Sequence, residues 1–349
     1  MRALSFVALL LAGCATTSTP VAVEAPMVAA TAETDPVDTA ADAADDPAIW
    51  RNAVDPAKSL VIGTDKKAGI HVYSLAGKRL SFTPAARLNN VDLRDLGTKS
   101  GGRVIAAASD RADVDTANVS LFTLDTAAAK LVPLGRFPVG AGEAYGMCLW
   151  TRASDKALFG FVVLKDGRID QVAIDQVAID LSGASPKVTT VRSMKLGTQS
   201  EGCVVDDRTG QLYVAEEDVG LWRFDADPSA PVTATAIAKV DGKTLVADAE
   251  GLALAPSGRN GGYLVVSSQG DNAYTLYRLP GVTYAGRFRI GSGAIDGTSD
   301  TDGIDLMLGD FGPAYPRGLL VAQDGDNAPA TQNFKYVSWD AVRKALRLR

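Results

Sequence analysis

Apolar positions along the chain gather in short runs rather than in helical stripes. Segments 60–65, 104–110, 158–166, 212–218, 263–271 and 319–326 are each an apolar or small-residue stretch that ends in a polar cluster. Segments 70–75, 119–124, 220–224, 274–279 and 334–339 alternate aromatic or aliphatic with polar residues. Period-two alternation and β-branched content predict strands for both series, and no stretch of a dozen residues carries the 3.6-residue period of an amphipathic helix. A third series stands ahead of these, in which a polar or acidic group introduces a small, apolar strand. Its members are Asp45-Asp46-Pro47-Ala48-Ile49, Val91-Asp92-Leu93, Tyr145-Gly146-Met147, Glu201-Gly202-Cys203, Glu250-Gly251-Leu252 and Asp302-Gly303-Ile304. From Asp46 through Asp92, Tyr145, Glu201, Glu250 and Asp302 the steps are 46, 53, 56, 49 and 52 residues.

Units of about 50 residues, each with several short antiparallel strands, predict an all-β fold, a six-bladed β-propeller. One irregular unit would shift that count to five or seven. A Greek-key sandwich is the competing all-β fold, but it offers no reason for a repeated acidic-Gly-apolar start, and only radial closure hides the strand edges. In a propeller the first strand of each blade lines the central channel, with equivalent positions at one height. Asp45, Asp46, Asp92, Tyr145, Glu201, Glu250 and Asp302 are therefore expected to ring one mouth. Lys66, Arg111, Lys165, Glu217 and Asp324, at the ends of second strands, should approach the same place. A single strand-end carboxylate is ordinarily solvated. A converging ring repels itself, raises its own pKa values and calls for bound cations. Oxygen-only donors suit Ca²⁺.

Composition narrows the chemistry further. The chain has 349 residues, 46% hydrophobic and 22% charged, with 35 Lys+Arg against 41 Asp+Glu and a formal net charge of −6. No broad basic surface is implied, which argues against a nucleic-acid partner. One histidine, His71, and three cysteines, Cys14, Cys148 and Cys203, leave Cys/His zinc sites and Ser-His-Asp triads poorly supplied. His71, alone in Ile70-His71-Val72-Tyr73, reads as structural or as a surface residue. Cys148 and Cys203 read as unpaired core thiols in different strands, with a disulfide as the alternative in an oxidising compartment.

The first residues, MRALSFVALLLAGC, put Arg2 before an apolar run too short to span a bilayer but long enough for a secretory signal. Leu11-Ala12-Gly13-Cys14 resembles a bacterial lipobox, which would make Cys14 a lipidation site and the mature N-terminus. Residues 1–14 are then an export signal, 15–41 a flexible Ala/Thr/Pro/Val-rich tether, and 42–349 the propeller. The expected location is periplasmic or outer-membrane-anchored, otherwise secreted. Any membrane contact is through the lipid alone.

Several long stretches resemble the β-propeller phytases, the alkaline, calcium-dependent family. They include Asp45-Asp46-Pro47-Ala48-Ile49-Trp50, Thr64-Asp65-Lys66-Lys67-Ala68-Gly69, Leu88-Asn89-Asn90-Val91-Asp92-Leu93-Arg94 and Ala107-Ala108-Ser109-Asp110-Arg111. Gln199-Ser200-Glu201-Gly202, Glu216-Glu217-Asp218, Asp248-Ala249-Glu250-Gly251-Leu252, the run from Asp296 to Asp305 and Gln323-Asp324-Gly325-Asp326-Asn327 continue the match, in order, to the C-terminal blade. The resemblance implies release of phosphate from phytate, myo-inositol hexakisphosphate, by a monomer that uses several Ca²⁺ ions, structural and catalytic. It implies a catalytic calcium cluster at Asp45, Tyr145, Glu201, Glu217, Asp248, Glu250 and Asp302. Substrate phosphates would be bound by Lys66, Lys67, Arg111 and Lys165, beside Asp166, and structural calcium by Asp46, Asp296, Asp326 and Asn327.

Physical reasoning runs the same way. Phytate is a dense polyanion, so a ring of carboxylates can receive it, as its calcium complex, only through intervening cations that also activate a water. Lys66, Arg111 and Lys165 would neutralise charge on the transferring phosphoryl group. A calcium-containing propeller lactonase or esterase would not need three converging cations, and a non-catalytic binding propeller would leave the long motifs unexplained. Three departures stand out. Asp166 and Asp326 occupy positions where the family often has the longer Glu. Asp170-Gln171-Val172-Ala173-Ile174 is repeated at once at 175–179, where a bulge or extended hairpin is expected.

Overall fold

In the computed structural model, residues 22–85, 87–97, 102–175 and 186–348 are described. Six sheets follow one another among them, antiparallel except for one added parallel strand. Four are simple four-stranded meanders that begin at the inner strands β3 (Ala44–Trp50), β7 (Leu88–Asp95), β11 (Ala144–Thr151) and β15 (Ser200–Asp206). The fifth and sixth begin at β19 (Ala249–Ser257) and β23 (Ile304–Leu308). This is the six-bladed propeller that the repeat predicts. Among the described residues helix is limited to about two C-terminal turns, α1 (Trp339–Ala345), and short 3₁₀ turns.

The blades cohere because alternate residues of each strand enter different cores. In β4 (Leu60–Asp65), Leu60 and Ile62 pack toward the second blade while Val61 packs toward the sixth. In β20 (Gly261–Ser268), Tyr263 and Val265 join one cluster, and Leu264 and Val266 the other. These second strands are thus buried on both faces, which is why they read as near-continuous apolar runs.

Inner strands are bent where they enter the channel. The pairing of first with second strand slips between Ala44 and Pro47, Leu88 and Val91, Ala144 and Gly146, Ser200 and Cys203, and Ala249 and Leu252. A β-bulge re-aims the side chains within it, and here it presents Asp45, Asn89, Tyr145, Glu201 and Glu250. The recurrent glycine has a separate cause. A Cβ on Gly202 would collide with the Glu250 carbonyl of the next blade, and one on Gly251 with that of Asp302. Gly146 and Gly303 meet Glu201 and Asp45 in the same way. Backbone of one blade packs against the ring residue of the next, and only glycine leaves room.

Two sequence expectations need correction. Part of the supposed tether, residues 15–41, is built into the propeller. Strand β1 (Met27–Ala29) adds in parallel to β22 (Thr283–Gly291), and β2 (Ala32–Glu33) is the outermost strand of the sixth blade, against β25 (Asn333–Ser338). Val28 and Val37 are buried. Edge strands accept almost any partner that supplies backbone N–H and C=O groups, so composition alone carried no sign of it. The second correction is that Cys148 and Cys203 form a disulfide between the inner strands of blades three and four. Their strands are neighbours, a proximity that sequence spacing does not reveal. Cys14 and the second copy of the duplicated pentapeptide beyond residue 175 lie outside the described residues.

Candidate active site and metal centre

Strand-start bulges deliver five side chains to the channel, and the second-strand end of blade four adds Glu217. Glu201, Glu217 and Glu250 each offer a carboxylate oxygen within 4.8 Å of the others, all three buried. At an effective dielectric of about 20, two charges at that separation repel by roughly 3–4 kcal/mol. Burial, reinforced by neighbouring carboxylates, pushes Glu201 and Glu250 well above the usual range, and Glu217 up to about 7. Glu217 Oε1, Glu250 Oε2 and Asp45 Oδ1 are buried without a hydrogen-bond donor, while Asp45 Oδ2 faces the Lys66 ammonium. Orphaned hard oxygens at the focus of like charge fit an oxygen-loving divalent cation held by Glu201, Glu217 and Glu250.

Lys66 holds the other side of the ring. Its Nζ lies 2.7 Å from Asp42, 2.8 Å from Asp302 and 3.1 Å from Asp45. Burial alone would lower its pKa, but Asp45 and Asp302 outweigh burial and raise it. Asp302, pushed up to about 7 by burial and Asp45, accepts a further bond from Gln269 Nε2 at 2.7 Å. Tyr145 is a platform for two cations, Arg111 4.9 Å and Lys165 5.1 Å from its ring centroid. Lys66, Tyr145, Glu217, Asp248, Glu250 and Asp302 line one 630 Å³ cleft. Asp248 is half-buried there, its pKa raised by burial and by Asp218.

Other expected residues fall elsewhere. Asp92 does not belong to the ring. It sits further along the channel in a separate 330 Å³ cavity with Asp46, Arg94, Asp207 and Asp305. There it pairs with Arg94 at 2.8 Å and accepts the Leu149 N–H of the next blade. The equivalent of Asp45 in the second blade is Asn89, three residues earlier, because the slip between Leu88 and Val91 matches the one between Ala44 and Pro47. Aligning Leu88-Asn89-Asn90-Val91 with Ala44-Asp45-Asp46-Pro47 would have found it. Asp46 turns the same way as Asp92, accepting Val91 N–H at 2.9 Å, so it stands apart from Asp296, Asp326 and Asn327.

Asp296 and Asn327 do meet, but around a fully buried ammonium. Lys335 Nζ lies 2.5 Å from Asp296 Oδ1, 2.6 Å from Glu33 Oε2, and 3.2 Å from both Asn327 Oδ1 and Asp324 Oδ2. The four residues assigned to structural calcium therefore do not form one ligand set. Asp326 is exposed beside them. Lys67 is also exposed and donates to the Ala40 carbonyl. Asp166 stands on the rim, paired with Lys195 and close to Lys165 and Arg168. His71 is a core residue between Tyr73 and Phe82, its pKa drawn down to about 4 by burial.

Comparison with known proteins places this architecture. A solved chain of the mitotic checkpoint complex resembles it at 12% identity with a TM-score of 0.48, over 94% of this chain and 87% of that one, too distant to bear on function. The curated 3-phytase of Bacillus subtilis (strain 168) is 41% identical over 333 residues, 91% of this chain and 85% of the relative. The phytase family model matches residues 1–348, and the chain belongs to the phytase family.

Proposed function

We propose that this phytase works with calcium held in the carboxylate ring and receives phytate at the mouth of the same cleft. Phytate hydrolysis itself follows from the family and from the 3-phytase relative. The observation that carries the calcium reading is the convergence of Glu201, Glu217 and Glu250 with buried oxygens that nothing in the protein satisfies. A divalent cation bound there supplies Lewis-acid polarisation of a phosphoryl oxygen and a water of lowered pKa.

The protein's own side chains do the rest. Lys66 lies at the ring itself and lines the cleft, so its ammonium, held by Asp45 and Asp302, is placed to meet a phosphoryl oxygen. Arg111 and Lys165, on the Tyr145 ring, add positive charge on the adjacent side, so an incoming phosphate meets cations from three blades. Gln269 holds Asp302 by one oxygen and leaves the other to Lys66. Export to an oxidising compartment, with Cys14 lipidated, completes the reading. Its support is the lipobox-like start and the Cys148–Cys203 disulfide.

The test is phosphate release from phytate with and without calcium, on the full chain and on Glu250→Gln. Chelation should abolish turnover and added calcium restore it. The substitution should cost at least about 100-fold, or ~2.7 kcal/mol of transition-state stabilisation. Full activity in excess chelator would overturn the metal assignment while leaving the family unchanged.

A further inference from the structure

Between the ring and the phosphate-binding side of the cleft lies one residue that belongs to neither set. Asn89 is fully buried, and its two amide ends face opposite functions. Nδ2 donates to Glu201 Oε1 at 2.9 Å, and Oδ1 accepts from Arg111 Nη1 at 2.8 Å. We propose that Asn89 is a positioning residue that couples the carboxylate ring to the arginine that binds phosphate, with Glu143 as the second support of that arginine. The inference rests on Arg111 contacting substrate, as in the function proposed above.

The register explains why an amide is needed. Asn89 occupies the bulge position that in other blades holds Asp45, Glu201 and Glu250. A carboxylate at 89 would have no proton to give Glu201, and a cation would repel Arg111. An amide both donates and accepts. By donating to one oxygen of Glu201, Asn89 restricts the rotation of that carboxylate.

Arg111 is held on several sides. Glu143 Oε1 accepts from Nε at 2.8 Å and lies 2.5 Å from Nη2, Asn89 takes Nη1, and Tyr145 lies beneath the guanidinium. A guanidinium has five N–H groups. These partners leave one on each terminal nitrogen, the pair needed for a forked contact with a phosphoryl group.

The test is a double-mutant cycle on the full chain at saturating calcium, with phytate as substrate. Asn89→Ala should lower kcat/KM at least about 10-fold. In an Arg111→Ala background the same change should cost little, because the residue it positions is gone. It should also raise the calcium concentration needed for half-maximal activity, through its Glu201 arm. Equal losses in both backgrounds, or wild-type kcat/KM in folded Asn89→Ala, would overturn the coupling. Should the buried substitution unfold the chain, Glu143→Ala at the rim carries the same cycle. Its expected rise in KM must vanish without Arg111, and additive effects would overturn the inference. Wild-type kinetics in Arg111→Ala would instead show the substrate placement to be wrong, and this inference would fall with it.

Discussion

Lys66 adds a structural duty to the chemical one proposed above, and a single substitution separates them. Its ammonium is the only positive charge bonded to the buried Asp45 among the described residues. Removing one partner of a buried pair leaves an uncompensated charge and costs about 3 kcal/mol or more. Lys66→Ala should therefore lower the melting temperature of the metal-free protein, with calcium recovering part of the loss. Phytate kcat/KM should stay at least about 10-fold down. An unchanged metal-free melting temperature would show that Asp45 does not depend on Lys66. Glu217 and Asp302, both pushed up to about 7, set a second expectation. Raised carboxyls keep protons in the folded state that the unfolded chain has released above about pH 4, so metal-free stability falls as pH rises from about 4 to 7. Calcium bound as proposed above would displace those protons. Its effect on melting temperature should accordingly be larger at pH 8 than at pH 5, and differential scanning calorimetry at the two pH values would expose the opposite trend.

At the level of elements, the inner strands carry both the ring and its bracing. Cys148 and Cys203 follow Tyr145 and Glu201 by three and two residues on adjacent inner strands, so the disulfide ties together two ring positions. Its sequence separation is 55, for which the chain-entropy argument gives a stabilisation of about 4 kcal/mol, with 2–4 typical of measured bonds. Replacing both cysteines with alanine should lower the urea unfolding free energy by that order. Equal stability of the variant and the oxidised parent would mean that the bond constrains little of the unfolded chain. Carboxylates brace the blades at the second height of the channel. Asp305 accepts Ile49 N–H, Asp46 accepts Val91 N–H and Asp92 accepts Leu149 N–H, each across a blade boundary.

For the whole molecule, closure is the decisive step, and the N-terminal segment makes it. Strand β2 completes the sixth blade, and Glu33 on it reaches Lys335 at the buried charge cluster. A chain begun at residue 42 would expose the edges of two blades and leave Lys335 without one of its carboxylates. It should melt lower and aggregate more readily than a chain begun at residue 22. Equal melting temperature and soluble yield for the two would remove the segment from the folding unit.

The sequence by itself determined the strands, the propeller and most of the ring, because those features are periodic. Apolar runs flanked by polar clusters repeat at a blade's length, and Asp45, Tyr145, Glu201, Glu250 and Asp302 stand at the repeat starts. Glu217, Lys66, Arg111 and Lys165 came with them as strand ends and through the family resemblance. What only the tertiary structure decided is local or crosses between blades. The strand-start bulge, common to the blades, makes Asn89 the ring position of the second blade, and Asp92, an odd number of residues further on, faces the other way. The disulfide, the Lys335–Glu33 contact and the docking of β1 and β2 join residues 55 to about 300 positions apart. Such contacts are set by which blades become neighbours when the ring closes, and no local pattern of side chains records that.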